Sequence, residues 1–174
     1  MSVSDLYSLP YLGMKDGFHR YYFTAGNQFL ISFENSPIQE GEFEIELEVD
    51  KRGNISEFLF IISGKAKVIC DRCLADILIP VSGRFPMKGK LSNESGDEPE
   101  IIFMSPDKSN IDLSQYIYEM ICLSLPLSNI SDCENESPRV CDDDVLAKLT
   151  KSDEKDIIKD GNVWGNLKGL STDN

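Results

Sequence analysis

The chain has 174 residues, which suits one domain, or one domain with a tail. Its formal charge is −13, from 30 acidic and 17 basic residues, so it repels nucleic acid unless its charges are unevenly spread. The single histidine, His19, excludes a histidine-rich metal site and argues against a Ser-His-Asp triad.

The sequence carries no recognisable targeting signal. Its longest purely apolar run, residues 58–62, is too short for a membrane span. The beginning, MSVSDLYSLP, has neither the basic start nor the apolar stretch of a signal peptide. We therefore expect a cytoplasmic protein without a membrane partner, in which the five cysteines are more often thiols or metal ligands than disulfides.

Residues 18–50 indicate the first strands of a sheet. The aromatic residues of the segment 18–33 surround a Gly-Asn turn signal and predict two strands, or one strand and a turn. Apolar residues alternate with glutamates over residues 41–50, which predicts a strand with one face in the core and one acidic face in solvent. The residues expected to face the core are Phe43, Ile45, Leu47 and Val49.

The next segments extend this sheet. Residues 51–54 read as a turn, residues 55–63 as a more buried strand, and Ser63-Gly64 as a second turn. Two further strands, 65–70 and 75–87, are joined by a Cys-x-x-Cys turn, and together the strands predict an antiparallel meander that curls into a barrel-like sheet. Pro80 and Pro86 have no backbone donor, so we expect their strand to be bulged or at an edge.

One main helix and an acidic tail complete the predicted fold. Apolar residues recur at helical spacing over residues 112–122, where Asp112 or Ser114 can cap the helix and Pro126 ends it at the latest. A short helix is expected around DDDVLAKLT (142–150). The fold class is therefore α+β, with an antiparallel barrel-like sheet and one main helix in a single domain over residues 1–127, followed by an acidic, partly disordered C-terminal tail over 128–174.

Cys70 and Cys73 admit three interpretations. Redox chemistry needs the first cysteine at a helix N-terminus, but LADILIPV follows and reads as a strand. A Cys-x-x-Cys turn between strands also suits zinc, which needs four ligands, and the completing thiolates would be Cys133 and Cys141. In the third interpretation the two cysteines are small residues that pack inside a tight hairpin, with no cofactor.

The basic residues are concentrated in one segment. Residues 64–91 contain six basic and two acidic residues and carry +4, whereas the rest of the chain carries −17. Such a hairpin can contact RNA phosphates or a protein partner locally, although an ordinary solvated strand face has the same composition. The candidate contact residues are Lys65, Lys67, Arg72, Arg84, Lys88 and Lys90.

Three segments together resemble one known family. CDRCL (70–74), IDLSQYIYEMICLSLPL (111–127) and a cysteine-bearing acidic tail that ends in Trp-x-x-Leu-x-x-Leu are similar to the YceD family, the large ribosomal RNA subunit accumulation proteins, in the version found in Bacteroides-type bacteria. Some relatives carry a fuller cysteine cluster that looks zinc-binding. Here only Cys133 and Cys141 follow the Leu-Pro block, and the tail lacks the usual Asp-Pro-Arg-Trp pattern.

The resemblance implies a non-enzymatic ribosome-biogenesis factor that supports accumulation or processing of large-subunit ribosomal RNA. Its partners would be the ribosomal RNA precursor or ribosomal proteins, and not DNA. Paired carboxylates in an apolar pocket are not indicated by the sequence, so acid–base catalysis has no support from it. The alternative is an acidic protein-binding module, for example one that holds a basic ribosomal protein, without RNA contact.

Overall fold

The computed structural model describes residues 6–34, 36–38, 40–92, 96, 98, 100–130 and 140–155, with backbone only for 150–155. The strands are β1 (Ser8–Leu9), β2 (Gly17–Ala25), β3 (Glu40–Arg52), β4 (Ile55–Ile69), β5 (Asp76–Leu91), β6 (Ile101–Met104) and β7 (Ile111–Asp112). The helices are α1 (Asn27–Leu30), α2 (Ser114–Leu123) and α3 (Asp143–Lys155). The predicted α+β class is confirmed.

The main sheet has five strands in the order β2-β3-β4-β5-β6. The strands β2 to β5 form the predicted antiparallel meander, and β6 adds to β5 in parallel. A separate two-stranded antiparallel sheet pairs β1 with β7. This small sheet joins the N-terminal segment to the residues that precede α2.

The predicted barrel is wrong, because β2 and β6 are the two edges of an open sheet in the described part of the chain. A sheet must bury its apolar face, and closure into a barrel is only one way to do so. Here α2 and the N-terminal residues Tyr7, Leu9 and Tyr11 are buried in the same core as the apolar face of the sheet. The sheet therefore has no need to close on itself.

The side chains of β3 alternate between two faces of the sheet, an inner face towards the core and an outer face towards solvent. The predicted core residues Phe43, Ile45, Leu47 and Val49 are each at most 2% exposed, which confirms the register. The acidic residues between them are exposed or half-buried on the outer face. By the cross-strand pairing, the odd-numbered residues of β4 and the even-numbered residues of β5 share that outer face.

The turn predicted at Ser63-Gly64 is also wrong, since β4 continues without interruption to Ile69. Gly64 pairs with Phe43 of β3. A Cβ atom at Gly64 would lie 2.2 Å from the Glu42 carbonyl oxygen and 2.8 Å from the Cα atom of Phe43. This glycine therefore permits a close approach of two backbones within the sheet, and not a reversal of the chain.

The segment 18–33 contains one strand and one short helix in place of two strands or a strand and a turn. Strand β2 ends at Ala25, and α1 follows immediately over four residues. Phe29 and Leu30 of α1 are buried in the core. Burial of these two side chains explains why the chain turns inward after the Gly26-Asn27 signal and does not form a hairpin.

The two prolines of β5 lie at an edge, as predicted. Over residues 76–87 β5 pairs only with β4 among the described strands. The backbone N–H of Lys88 points away from β4 and donates to the Glu100 carbonyl at 2.9 Å. Pro80 and Pro86 are also even-numbered residues of β5, so their nitrogen atoms point to the same side as that of Lys88. The missing N–H groups of the prolines therefore fall on the unpaired side of the strand.

Helix α2 covers the inner face and begins two residues later than predicted. The carboxylate of Asp112 accepts hydrogen bonds from the backbone N–H and from the hydroxyl of Ser114, at 2.9 and 2.6 Å, which satisfies part of the helix start. Ile117, Met120 and Ile121 are buried against the sheet. The helix ends at Leu123, before Pro126.

The predicted tail helix is present as α3. Residues 131–139 and 156–174 lie outside the described residues. They include Cys133 and the Trp-x-x-Leu-x-x-Leu segment. The partial disorder predicted for residues 128–174 therefore stays a prediction. None of the helices described above combines the length and the apolar character that crossing a membrane would require.

Candidate functional site

The turn between β4 and β5, residues 70–75, is called the thiol turn below. Cys70 and Cys73 are both fully buried in it. The backbone N–H of Cys70 donates to the Ala75 carbonyl at 2.8 Å, and the N–H of Leu74 donates to the Cys70 carbonyl at 2.9 Å. Leu74 has φ of +60°, an uncommon conformation for a residue with a side chain. The sequence correctly predicted a compact reversal with two buried sulfur atoms.

A second segment is held against the outside of this turn. The backbone N–H of Asp71 donates to the Asn129 carbonyl at 2.9 Å. In return, the N–H of Asn129 donates to Asp71 Oδ2 at 2.7 Å. The side-chain oxygen of Asn129 is buried and has no hydrogen-bond partner within the described ranges. These contacts fix the chain that leaves α2 beside the thiol turn as far as Asn129.

The four thiols predicted to bind zinc are only partly described. Cys141 precedes α3, is half-buried, packs against the core and is disulfide-bonded, so it can bind zinc only after reduction. Cys133 lies outside the described residues, and the set Cys70, Cys73, Cys133 and Cys141 stays a prediction. Within the described residues no group of three or more His, Cys, Asp or Glu side chains has the geometry of a metal site.

The single histidine, His19, and the fifth cysteine, Cys122, lie on other elements of the fold. His19 is on β2, and its Nε2 atom lies 2.8 Å from the Lys15 carbonyl oxygen. Cys122 is half-buried on α2, and desolvation by burial raises the pKa of its thiol. Its environment is that of a packed residue and not that of an activated thiol.

Five of the six basic candidates share the outer face of the sheet. Lys65 and Lys67 are odd-numbered residues of β4, whereas Arg84, Lys88 and Lys90 are even-numbered residues of β5. The sixth, Arg72, is exposed in the thiol turn. The alternation of side chains along two paired strands explains this common direction.

The five side chains do not form one compact patch. Lys90 is opposite Ile55, twelve residues along β4 from Lys67, so the two ends are roughly 40 Å apart at about 3.3 Å per residue. Lys67 contacts Glu40 and Asp76 at 3.2 and 3.3 Å, and its hydrogen bonds to these carboxylates raise its pKa. The acidic residues of β3 therefore lie beside the basic ones across the outer face.

The sequence did not predict one concave feature of the described surface. A cavity of about 920 Å³ is lined by residues of β2 to β5, by Glu100, and by Glu119, Met120 and Leu123 of α2. Five carboxylates and one lysine, Lys88, line it together with apolar side chains. We call this cavity the acidic groove. Its residues come from separate segments, so no local sequence pattern indicates it.

The fold and these sites define a small α+β protein built on one long meander, with a buried thiol turn and an acidic groove. Comparison with known families identifies the family to which the chain belongs. The chain belongs to the family described as large ribosomal RNA subunit accumulation protein YceD, whose family model matches residues 59–171. This confirms the resemblance. The searches of curated proteins and of solved structures gave no significant match.

Proposed function

We propose that this protein is a non-enzymatic, cytoplasmic factor for biogenesis of the large ribosomal subunit, and that it supports accumulation or processing of the large-subunit RNA. The observation that carries this proposal is the family match over residues 59–171. The matched range contains the thiol turn, α2 and the chain segment that the thiol turn holds.

The outer-face cations supply a means of contact with RNA. Lys65, Arg84, Lys88 and Lys90 are exposed, and phosphate contacts by lysine and arginine provide most of the affinity of sequence-independent RNA binding. The acidic residues beside them limit such contacts to a few phosphates. Binding would therefore be local, and weak where only a few phosphates are within reach.

Charge reversal tests this RNA contact. The variant Lys65→Glu, Lys67→Glu, Lys88→Glu should bind large-subunit precursor RNA more weakly, and the slope of log affinity against log salt should fall by roughly 0.7 to 0.9 per lost phosphate contact. The matched control reverses three exposed lysines outside the main sheet, Lys15, Lys108 and Lys148. Equal affinities for the two variants would contradict a contact through the outer face.

A pull-down tests the cellular role independently of direct RNA contact. The tagged protein, isolated from cells in normal growth, should carry precursor particles of the large subunit, identified by unprocessed ends of their RNA. Recovery of these particles with the triple variant would indicate that another surface mediates the association. The complete absence of precursor RNA from the wild-type sample would contradict the proposed function.

A further inference from the structure

The acidic groove has an apolar floor that is open to solvent. Phe18 of β2 is 60% exposed and Leu123 at the end of α2 is 71% exposed. Leu59 and Pro86, which are cross-strand neighbours, complete the apolar lining together with Met120. Single exposed apolar side chains are common, but a concave group of them is typical of a binding surface.

The carboxylates of the groove are more numerous than its cations. Glu48 is paired with Arg20 at 2.7 Å, and Asp50 is paired with Arg52. The other three are Glu57, Glu100 and Glu119. Among the described side chains none of these three has an ion-pair contact within 4 Å, and Glu119 only accepts a hydrogen bond from Gln115 at 2.7 Å. The groove therefore presents carboxylates that remain available to a cationic partner.

The pairing of β3 with β4 increases this local negative charge. Asp50 is directly opposite Glu57, and like charges at directly opposed positions destabilise an antiparallel pair. On the other side of β4, Lys88 is opposite Glu57. Lys88 is the only lysine or arginine among the described residues that line the groove. Arg52 already offsets part of this repulsion, because its hydrogen bond to Asp50 and the charges of Asp50 and Glu57 raise its pKa. A bound cation between the strands would offset more of it.

We propose that the acidic groove binds a cationic amphipathic segment of a partner protein. Its apolar side chains would rest on Phe18, Leu59 and Leu123, while its lysine and arginine side chains would bond to Glu57, Glu100 and Glu119. A cavity of about 920 Å³ accommodates several side chains of such a segment. The partner is a protein and not RNA, because the groove would place phosphates next to carboxylates.

This inference goes beyond the proposed function, because it assigns a protein partner to a surface distinct from the cations at Lys65, Lys67, Arg84 and Lys90. The two surfaces can act together in a factor that assembles RNA with basic proteins. Lys88 borders both surfaces because it also lines the groove. The two surfaces can still be tested separately, because the groove variant changes no lysine or arginine, and Lys65 and Lys67 lie outside the groove lining.

The probe is a fluorescent synthetic peptide of about 18 residues with leucine and phenylalanine on one helical face and lysine and arginine on the other. Its binding to the full chain is measured by anisotropy at low and high salt. The groove variant is Glu57→Gln, Glu100→Gln, Glu119→Gln. The control variant, Glu34→Gln, Glu44→Gln, Asp107→Asn, changes the net charge equally at three exposed positions outside the groove.

The expected result is a loss of affinity of roughly tenfold or more in the groove variant, because three exposed ion pairs are removed, and of less than twofold in the control. Leu123→Ser should also weaken binding, and that loss should persist at high salt because it is apolar in origin. Equal losses of peptide affinity in the groove and control variants would show that only the net charge of the protein attracts the peptide, and would overturn the proposal.

Three other results would also overturn it. One is failure of the wild-type chain to bind the peptide, as expected if another segment of the same chain fills the groove. Another is displacement of the bound peptide by a single-stranded RNA oligonucleotide whose affinity does not depend on Lys65 or Lys67. The third is self-association of the chain that the groove variant abolishes, because the occupant would then be a second copy.

Discussion

Asp71 and Asn129 bind each other through two hydrogen bonds although they are 58 residues apart in the sequence. One bond joins the Asp71 N–H to the Asn129 carbonyl at 2.9 Å, and the other joins the Asn129 N–H to the Asp71 carboxylate at 2.7 Å. Through this pair the thiol turn determines where the chain goes after α2. The chain after α2 therefore follows a defined path as far as Asn129.

We expect Asp71→Ala to release the segment after α2. The variant keeps the backbone bond but removes the acceptor of the Asn129 N–H, so the free energy of unfolding should fall by about 1 kcal/mol. Exchange of the Asn129 amide hydrogen should become faster, which nuclear magnetic resonance measures directly. Arg72→Ala is the control in the same turn and should leave that exchange unchanged. An unaltered rate in Asp71→Ala would contradict the contact.

The two buried thiols of the turn should act first as packing residues. Cys70→Ala and Cys73→Ala each remove one buried sulfur atom, and we expect folded proteins whose free energy of unfolding is lower by about 1 kcal/mol. Urea denaturation measures the difference. Cys122→Ala, at a half-buried position, should cost less. Failure of both turn variants to fold would favour a metal site over simple packing.

Metal analysis separates the packing account from the zinc account. The packing account predicts no stoichiometric zinc in protein that is reduced and purified without chelator. The competing four-thiolate site predicts one zinc per chain, held by Cys70, Cys73, Cys133 and Cys141, and its loss in Cys141→Ser. Because zinc binding would contribute to folding, metal removal would then also expose the tail to proteases.

Gly64→Ala should be strongly destabilising. The added Cβ would meet the backbone of Glu42 and Phe43 at 2.2 and 2.8 Å, and backbone atoms inside a sheet cannot move aside without breaking pairs. We expect a loss of about 3 kcal/mol or more in the free energy of unfolding. Gly13→Ala, where a Cβ meets nothing within 4 Å, is the matched control. Similar stabilities of the two variants would refute the close approach.

Tyr7 should make the fold sensitive to alkaline pH. Burial raises the pKa of Tyr7 above 10.0, and its hydroxyl donates to the Thr24 carbonyl at 2.8 Å. A pKa raised by folding contributes stability at neutral pH that is lost as the pH rises through the folded pKa. The unfolding free energy of Tyr7→Phe should therefore fall less steeply above about pH 10 than that of the wild type. Parallel curves would contradict this assignment.

The local elements could be predicted because their residues repeat at a period that the sequence shows. The alternation of apolar residues and glutamates predicted which face of β3 lies in the core. The helical spacing of apolar residues predicted the ends of α2 to within two residues. The open sheet could not be predicted, because Tyr7 and Leu9 pack in the same core as the inner face of the sheet. The strands that form this face lie far from these two residues in the sequence. Gly64 was misread for a related reason: a glycine needed for close packing and a glycine needed for a turn look alike in a sequence.

The candidate sites divide in the same way. The thiol turn is local, so its cysteines and its reversal were both predicted. Counting charges found the basic segment, but its separation into distant ends follows from the register of β4 on β5. Glu57 on β4 and Glu119 on α2 line the same acidic groove although they are far apart in the sequence. No local pattern of residues in the sequence indicates that juxtaposition.

Depletion of the protein tests the central proposal most directly. The measurement is the ratio of mature large-subunit RNA to mature small-subunit RNA in growing cells, with the wild-type protein restored as the control. The proposed function predicts that the ratio falls after depletion, that large-subunit precursor RNA fails to accumulate or to mature, and that restoration reverses both effects. An unchanged ratio with normal precursor levels would contradict it.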